Sequence, residues 1–175
     1  LFIDQNAVFK VVVDSAAGAF VEIRGDGTIG VSYDRAGNIR MNGTYKVAAG
    51  FYKMSFYDIV KRKFDFQEGS SIVWNGSPMD ATMDFTALYK TRVSVANLMA
   101  TGNTSSTVQT FNEQLPFEVL MKMEGELSKP QISFSIDLAQ ESKGAYGGAV
   151  EAKLNELKQD ENELNKQVFA LLVLN

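Results

Sequence analysis

Two charged clusters in this sequence have residue types that could do chemistry. Asp80 and Asp84 lie four positions apart, and paired carboxyl groups can act as a general acid and a general base. Lys61, Arg62 and Lys63 form a basic run that could bind a phosphate or a lipid headgroup. Asp84 is expected on the polar face of a strand and Asp80 just after a turn, which favours solvated surface carboxylates. The basic run is also typical of a solvated turn or a protected strand edge.

The composition removes most of the usual catalytic machinery. The chain has neither histidine nor cysteine, so Ser-His-Asp and Cys-His arrangements, disulfides and thiolate zinc sites are impossible. Its net charge is −4, which argues against a nucleic-acid partner because such proteins need a basic surface. No set of residues converges on a reaction. We therefore expect a protein that is not an enzyme and that uses no cofactor and no metal.

The elements that carry these residues are predicted to be strands with one apolar side. Ile132, Phe134, Ile136 and Leu138 alternate with polar residues, and the same period of two recurs from about residue 39 onward. The length of 175 residues suits one domain with a real core. The pattern predicts a mainly β fold, a strongly curved and largely antiparallel sheet that closes on itself.

Turn signals divide the chain further. The β-branched run at 8–13 predicts a buried strand. Glycines at 25–27 predict a hairpin turn, and Ala-Gly at 49–50 predicts another. The polar segment 97–114 is predicted to be a mobile loop. From about Gly148 the apolar spacing becomes helical, so we expect one C-terminal amphipathic helix and a division into a sheet domain at 1–143 and a helical segment at 144–175.

The apolar face of the predicted sheet is the largest signal in the sequence. One interpretation is the closed core of a sandwich or barrel, and the other is an open groove for acyl chains or apolar strands, for which flexible methionines are suited. The residues assigned to this face are Tyr52, Met54, Phe56, Phe64, Phe66, Trp74, Met83, Phe85, Tyr89, Phe117, Val119, Met121, Met123, Ile132, Phe134, Ile136 and Leu138.

Several segments, taken in order, resemble the C-terminal domain of the TamB family. They are Asn-Gly-Thr-Tyr at 42–45, Gly-Phe-Tyr at 50–52, Asp-Ile-Val-Lys-Arg-Lys-Phe at 58–64, Gly-Ser-Ser-Ile-Val-Trp-Asn-Gly at 69–76, Pro-Met-Asp-Ala at 78–81, Ala-Leu-Tyr at 87–89, Gly-Glu-Leu-Ser-Lys-Pro-Gln-Ile-Ser-Phe at 125–134 and Asn-Lys-Gln-Val-Phe-Ala-Leu-Leu-Val-Leu-Asn at 165–175. The last segment looks most like versions from Bacteroidetes. One departure is Ser77, where relatives are expected to have Asp in a Gly-Asp-Pro turn.

The resemblance implies a piece of a long periplasmic protein of a diderm bacterium, anchored in the inner membrane by a helix elsewhere. It implies a folded, taco-like β-sheet with an apolar interior, in which the apolar face is a groove. The implied roles are the transport of phospholipid and the assembly of outer-membrane proteins, with an Omp85-type barrel, TamA or BamA-like, as partner. The end of the chain is the candidate contact for that barrel, and packing of the terminal helix on the open end of the sheet is an equal alternative. The residues concerned are Val168, Phe169, Leu171, Leu172 and Leu174.

Two alternatives to the groove remain open from the residues. A fragment of an outer-membrane barrel would also alternate, with its apolar face toward lipid. A structural or adhesive β module with a closed core would take up no apolar ligand.

Overall fold

A computed structural model describes residues 1–56, 60–99 and 113–173 of the chain. These residues are mainly β, which confirms the predicted fold class of a large antiparallel sheet with helical structure at the C-terminal end. The described strands are β1 (Phe2–Ile3), β2 (Val8–Asp14), β3 (Ala19–Tyr33), β4 (Ile39–Phe56), β5 (Val60–Phe66), β6 (Ser71–Gly76), β7 (Thr82–Ser94), β8 (Gln114–Glu126) and β9 (Gln131–Leu138). The described helices are α1 (Val95–Met99), α2 (Ala149–Leu157) and α3 (Glu161–Val173).

The strands form one sheet in the order β1-β3-β4-β5-β7-β8-β9. Strand β2 pairs with β3 beside β1, and β6 pairs with both β4 and β7. The long strands β3 and β4 form the most extensive antiparallel ladder, running from the Phe20 and Lys53 pair to the Tyr33 and Ile39 pair. Chain order and neighbour order nearly coincide, as in a meander of hairpins.

The two predicted glycine turns inside these long strands are wrong. Strand β3 continues through residues 25–27, and β4 continues through residues 49–50. The register between them shifts at Arg24 and Gly25, where a bulge lies in the ladder. A Cβ atom at Gly25 would lie 1.9 Å from the carbonyl oxygen of Lys46, so this glycine permits the close approach of two backbones. The sequence signal for a turn is the same as the signal for such an approach.

The described chain divides into two compact units. The first consists of Leu1–Leu88 and Met121–Ser133 and holds β1 to β6 with parts of β7, β8 and β9. The second consists of Tyr89–Leu120 and Phe134–Asn175 and holds the remaining parts of those three strands with the helices. This division follows a different line from the predicted boundary at 143/144, which stays a prediction.

The C-terminal segment forms two helices where the sequence predicted one. Helix α2 ends at Leu157, and α3 begins at Glu161. The side chain of Asp160 accepts hydrogen bonds from the backbone N–H groups of Asn162 (3.0 Å) and Glu163 (3.1 Å), which is the geometry of an N-cap. This cap starts a new helix and explains the break. No described helix has the length and apolar character that are needed to cross a membrane.

Both helices bury the predicted apolar residues within the second unit. Val150, Leu154 and Leu157 of α2 are buried, and so are the matching positions of α3. Of the predicted loop at 97–114, the first residues belong to α1 and the last belongs to β8. The stretch 100–112 lies outside the described residues, and so do positions 57–59 and 174–175.

Candidate functional site: the apolar face of the sheet

Strand pairing in the first unit places the predicted apolar side chains on one face. Val11 of β2 pairs with Val21 of β3, Val21 pairs with Tyr52 of β4, and Tyr52 pairs with Phe64 of β5. Directly paired residues of adjacent strands point to the same side of a sheet. These four residues therefore form one continuous apolar row across the sheet, here called the β2–β5 row.

A second row runs through the other branch of the sheet. Tyr45 of β4 pairs with Ile72 of β6, and Ile72 pairs with Met83 of β7. All three side chains are buried. On β5 and β7, the rings of Phe66 and Phe85 meet edge to face with centroids 4.9 Å apart. The apolar side of β7 and the adjacent strands is therefore a packed interior.

Burial divides the predicted face residues into three groups. Most are buried: Phe64, Phe66, Met83, Phe85, Phe117, Val119, Met121, Met123, Ile136 and Leu138. Others are partly exposed: Tyr52, Met54, Trp74, Tyr89 and Phe134. Ile132 is exposed, and the side chain of Phe56 lies outside what the structure describes. Each fully buried member contributes about 1.5–3 kcal/mol to stability.

The accessible part of the face lies toward strand β2. Within the β2–β5 row, Phe64 is 0% exposed, Tyr52 and Val21 are partly exposed, and Val11 is 56% exposed. Phe9 lies on the same side of β2, and its ring meets that of the buried Tyr45 edge to face at 5.5 Å. The apolar face is thus closed in its interior and open at this edge of the sheet.

Strand β2 was missed as part of the site, and its predicted burial is wrong. Every residue of Val8–Asp14 is exposed, and β2 pairs with β3 alone among the described strands. β-branched residues favour a strand, but they do not determine whether it lies inside a sheet or at its edge. The signal in the sequence was alternation, because Phe9 and Val11 lie on one side of the strand and Lys10 lies on the other.

Tyr52 brings a polar hydroxyl group to the β2–β5 row. Burial raises the pKa of the Tyr52 hydroxyl, and the nearby carboxylate of Asp14 raises that pKa further. Both effects disfavour the phenolate, because burial penalises a charge and Asp14 adds repulsion. The hydroxyl therefore stays neutral, as suits an apolar contact surface.

The predicted barrel-contact residues are divided between the interior of the second unit and its surface. Val168, Leu171 and Leu172 are buried on α3, whereas Phe169 is 43% exposed. Phe169 lies beside Asn162, Asn165 and Lys166 at a surface depression. Leu174 lies outside the described residues. Their contact with a partner stays a prediction.

The two clusters that suggested chemistry do not form a reactive site. Asp80 and Asp84 are both exposed, on a 3₁₀ turn and on β7. In the described part of the chain, no three acidic residues come close enough together to hold a metal ion. The basic run is split by strand alternation, because Arg62 pairs with Met54 on the apolar side while Lys61 and Lys63 lie on the other.

These features define a class of protein: a mainly β protein whose one sheet is apolar on one side and carries an open apolar edge. The family model of the TamB C-terminal domain matches residues 1–175, and the chain therefore belongs to the TamB family through its C-terminal domain. The family belongs to the bacterial cell envelope and acts as a translocation and assembly module in outer-membrane assembly, with a TamA or Omp85 partner. No curated protein and no solved structure matches the chain.

Proposed function

We propose that this chain is a periplasmic domain whose apolar sheet face shields phospholipid acyl chains or nascent outer-membrane β-strands on their way to the outer membrane. The observation that carries the proposal is the exposure gradient of the β2–β5 row, from the closed side chain of Phe64 to the open side chain of Val11. An apolar surface of this kind takes up apolar cargo without chemistry. The protein in this proposal is not an enzyme.

An acyl chain along the open edge would be bound by the hydrophobic effect. Each CH₂ group removed from water contributes about 0.8 kcal/mol, so a few methylenes packed on Phe9, Val11 and Tyr52 give a useful affinity. Because the acyl chain is only partly buried at this edge, it can be loaded and released without a large free-energy cost.

A nascent β-strand would use the backbone of β2 as well as its side chains. One side of β2 pairs with β3, and no described strand pairs with the other side. An edge strand presents unpaired N–H and C=O groups, which can pair with an added strand. Alternate side chains of the added strand would then lie on the apolar face.

We also propose where the domain is anchored and which partner receives its cargo. The full-length protein would be anchored in the inner membrane, and an Omp85-type barrel, TamA or BamA-like, would receive the cargo. Phe169 is the best candidate for the barrel contact, because it is the exposed apolar residue of α3.

Photo-crosslinking tests the face directly. A crosslinking amino acid is placed at Val11 or Tyr52, and at Lys46 of β4 or Lys122 of β8 as controls, because these two exposed lysines alternate with buried apolar residues and so lie on the opposite side of the sheet. We expect lipid or outer-membrane-protein adducts from Val11 and Tyr52 in intact cells, identified by mass spectrometry, and few from the controls. Equal yields from both sides would contradict a cargo-binding face.

A closed structural module is the second candidate, favoured by the complete burial of Phe64, Val119 and Met121. In that case Val11 and Tyr52 would give no adduct with lipid or with barrel strands. Adducts only with copies of this chain would likewise favour the structural module.

A further inference from the structure

The side of the sheet opposite the apolar face carries a basic and aromatic surface on strands β2 to β5. Strand pairing places its side chains together: Val12 pairs with Phe20, Phe20 with Lys53, and Lys53 with Lys63. In the next row, Glu22 pairs with Phe51, and Phe51 pairs with Asp65. We call this surface the basic patch, formed by Lys10, Phe20, Glu22, Arg24, Phe51, Lys53, Lys61, Lys63 and Asp65.

The two aromatic rings of the patch hold lysine side chains in place. The ammonium group of Lys10 lies 4.1 Å from the centroid of the Phe20 ring, and that of Lys53 lies 5.7 Å from the same ring. The ammonium group of Lys63 lies 4.7 Å from the Phe51 centroid, and the two rings meet edge to face at 5.6 Å. A cation over a ring face is attracted by the ring quadrupole, so the lysines are gathered over the rings.

The charges of the patch are poorly balanced by the protein itself. Lys53 and Lys63 are directly paired across β4 and β5, and like charges in this position are destabilising. Lys63 forms an ion pair with Asp65 at 2.8 Å. Lys10, Lys53 and Lys61 form no close ion pair among the described residues, although Lys10 is the direct cross-strand neighbour of Glu22. The patch is therefore a region of net positive charge, with five basic residues and two carboxylates, on a chain whose net charge is −4.

We propose that the basic patch binds the headgroups of an anionic lipid bilayer. The charges of the patch are spread over a sheet surface, which matches an array of headgroups. The adjacent cavity is lined by Glu22 and Asp65 as well as by Arg24 and Lys63, and the two carboxylates would repel a small anion held inside it. Phenylalanine rings beside lysines suit a bilayer surface, where the apolar and the charged parts of the interface are both satisfied.

Vesicle binding tests the proposal. The chain is mixed with phosphatidylcholine vesicles with or without phosphatidylglycerol, and the bound fraction is measured by flotation at several salt concentrations. Each basic residue close to an anionic surface raises binding about fivefold, so Lys10→Gln, Lys53→Gln and Lys61→Gln together should weaken binding on the order of a hundredfold. Binding by the unaltered chain should fall as salt rises, because salt screens exposed charges.

The control variant removes the same number of charges elsewhere. It combines Lys46→Gln, Lys122→Gln and Lys166→Gln, three exposed lysines outside the patch. We expect this variant to keep most of its binding to vesicles that contain phosphatidylglycerol. Should the patch variant fail to fold, single Lys10→Gln and Lys61→Gln variants replace it, each with a loss of about fivefold.

Several results would overturn the proposal. Equal losses in the two triple variants would mean that only net charge matters. Equally strong binding to vesicles that lack phosphatidylglycerol would assign the interaction to the apolar face. Tighter binding of single-stranded DNA or of an acidic protein than of the vesicles would assign the patch to another partner. Because the patch lies opposite the cargo face, these outcomes are independent of the crosslinking result at Val11 and Tyr52.

Discussion

Gly43 lies at a close approach of strands β3 and β4 and has a positive φ, so replacing it with alanine tests the packing of these two strands. It pairs with Ile29 on one side and with Trp74 on the other. A Cβ atom at Gly43 would lie 2.2 Å from the carbonyl oxygen of Thr28 and 3.0 Å from the Cα atom of Ile29. Its φ of +146° is in a region that other residues rarely adopt.

The expected cost follows from two terms. Holding alanine at this φ costs about 1–3 kcal/mol. Relieving the contact with the backbone oxygen of Thr28 requires the strands to separate by about 1 Å, which weakens adjacent ladder hydrogen bonds worth roughly 1 kcal/mol each. The Gly43→Ala variant should therefore lose about 3–5 kcal/mol, a large part of the roughly 5–15 kcal/mol that a typical domain has.

Gly30→Ala is the matched control, because Gly30 pairs with Asn42 in the same ladder. A Cβ atom at Gly30 would meet the carbonyl oxygen of Asn42 at 3.4 Å, so alanine is tolerated there, and the smaller loss of backbone entropy favours it by about 0.5–1 kcal/mol. Urea unfolding followed by the fluorescence of Trp74, the single tryptophan, measures both variants. Equal urea midpoints for the two variants would refute the close approach at Gly43.

Three further outcomes follow from individual polar groups. Tyr45→Phe should stabilise the fold by about 1 kcal/mol in thermal unfolding, because the buried Tyr45 hydroxyl has no hydrogen-bond partner among the described residues, and a loss of stability would show an overlooked partner. Asp160→Ala should cost about 1 kcal/mol and reduce helical circular dichroism, since it removes the N-cap of α3, whereas an unchanged spectrum would contradict that cap. Hydrogen bonds from Asn38 lower the pKa of Asp34, so the stability that Asp34 contributes is present above its ordinary pKa and is lost as pH falls through the lowered value. Asp34→Asn should flatten this part of an acid titration of stability, and an unaltered titration would contradict the assignment.

The features that could be predicted from sequence are those set within a single strand, such as which of its side chains are buried. In β7, Met83, Phe85 and Ala87 are buried while Thr82 and Asp84 are exposed, as the alternation predicts. The same holds for Phe117 to Met123 in β8. A period of two reports which face of a strand meets the core, and it needs no knowledge of the neighbouring strands.

The incorrect predictions concern features that depend on other segments of the chain. Glycine marks a turn or a close approach with the same residue type, and only the backbone opposite Gly25 distinguishes the two. The break between α2 and α3 was readable, because Asp160 followed three residues later by Glu163 is a helix-start signature. The apolar series from Val150 to Leu171 concealed the break, because its helical spacing resumes after a single gap at Glu161.

The accessible region of the candidate site was the hardest to predict, because exposure depends on sheet order. Residues 8–13 have the composition of an interior strand, yet β2 lies beside β3 with no described strand on its other side. The sequence of β2 alone does not indicate its position at the edge of the sheet. The position follows only from β1 and β2 sharing β3 as a neighbour.

Strand β2 joins the two proposed surfaces, and its register sets both. Phe9 and Val11 point to the apolar face, whereas Lys10 and Val12 point to the basic patch. Since side chains alternate, a slip of one residue would put Lys10 among apolar neighbours and Phe9 among the lysines. The edge-to-face contact of Phe9 with the buried Tyr45 ring, at 5.5 Å, opposes such a slip. The two proposed activities, headgroup binding on one side and cargo binding on the other, therefore rest on the same pairing of β2 with β3, and weakening that pairing should impair both.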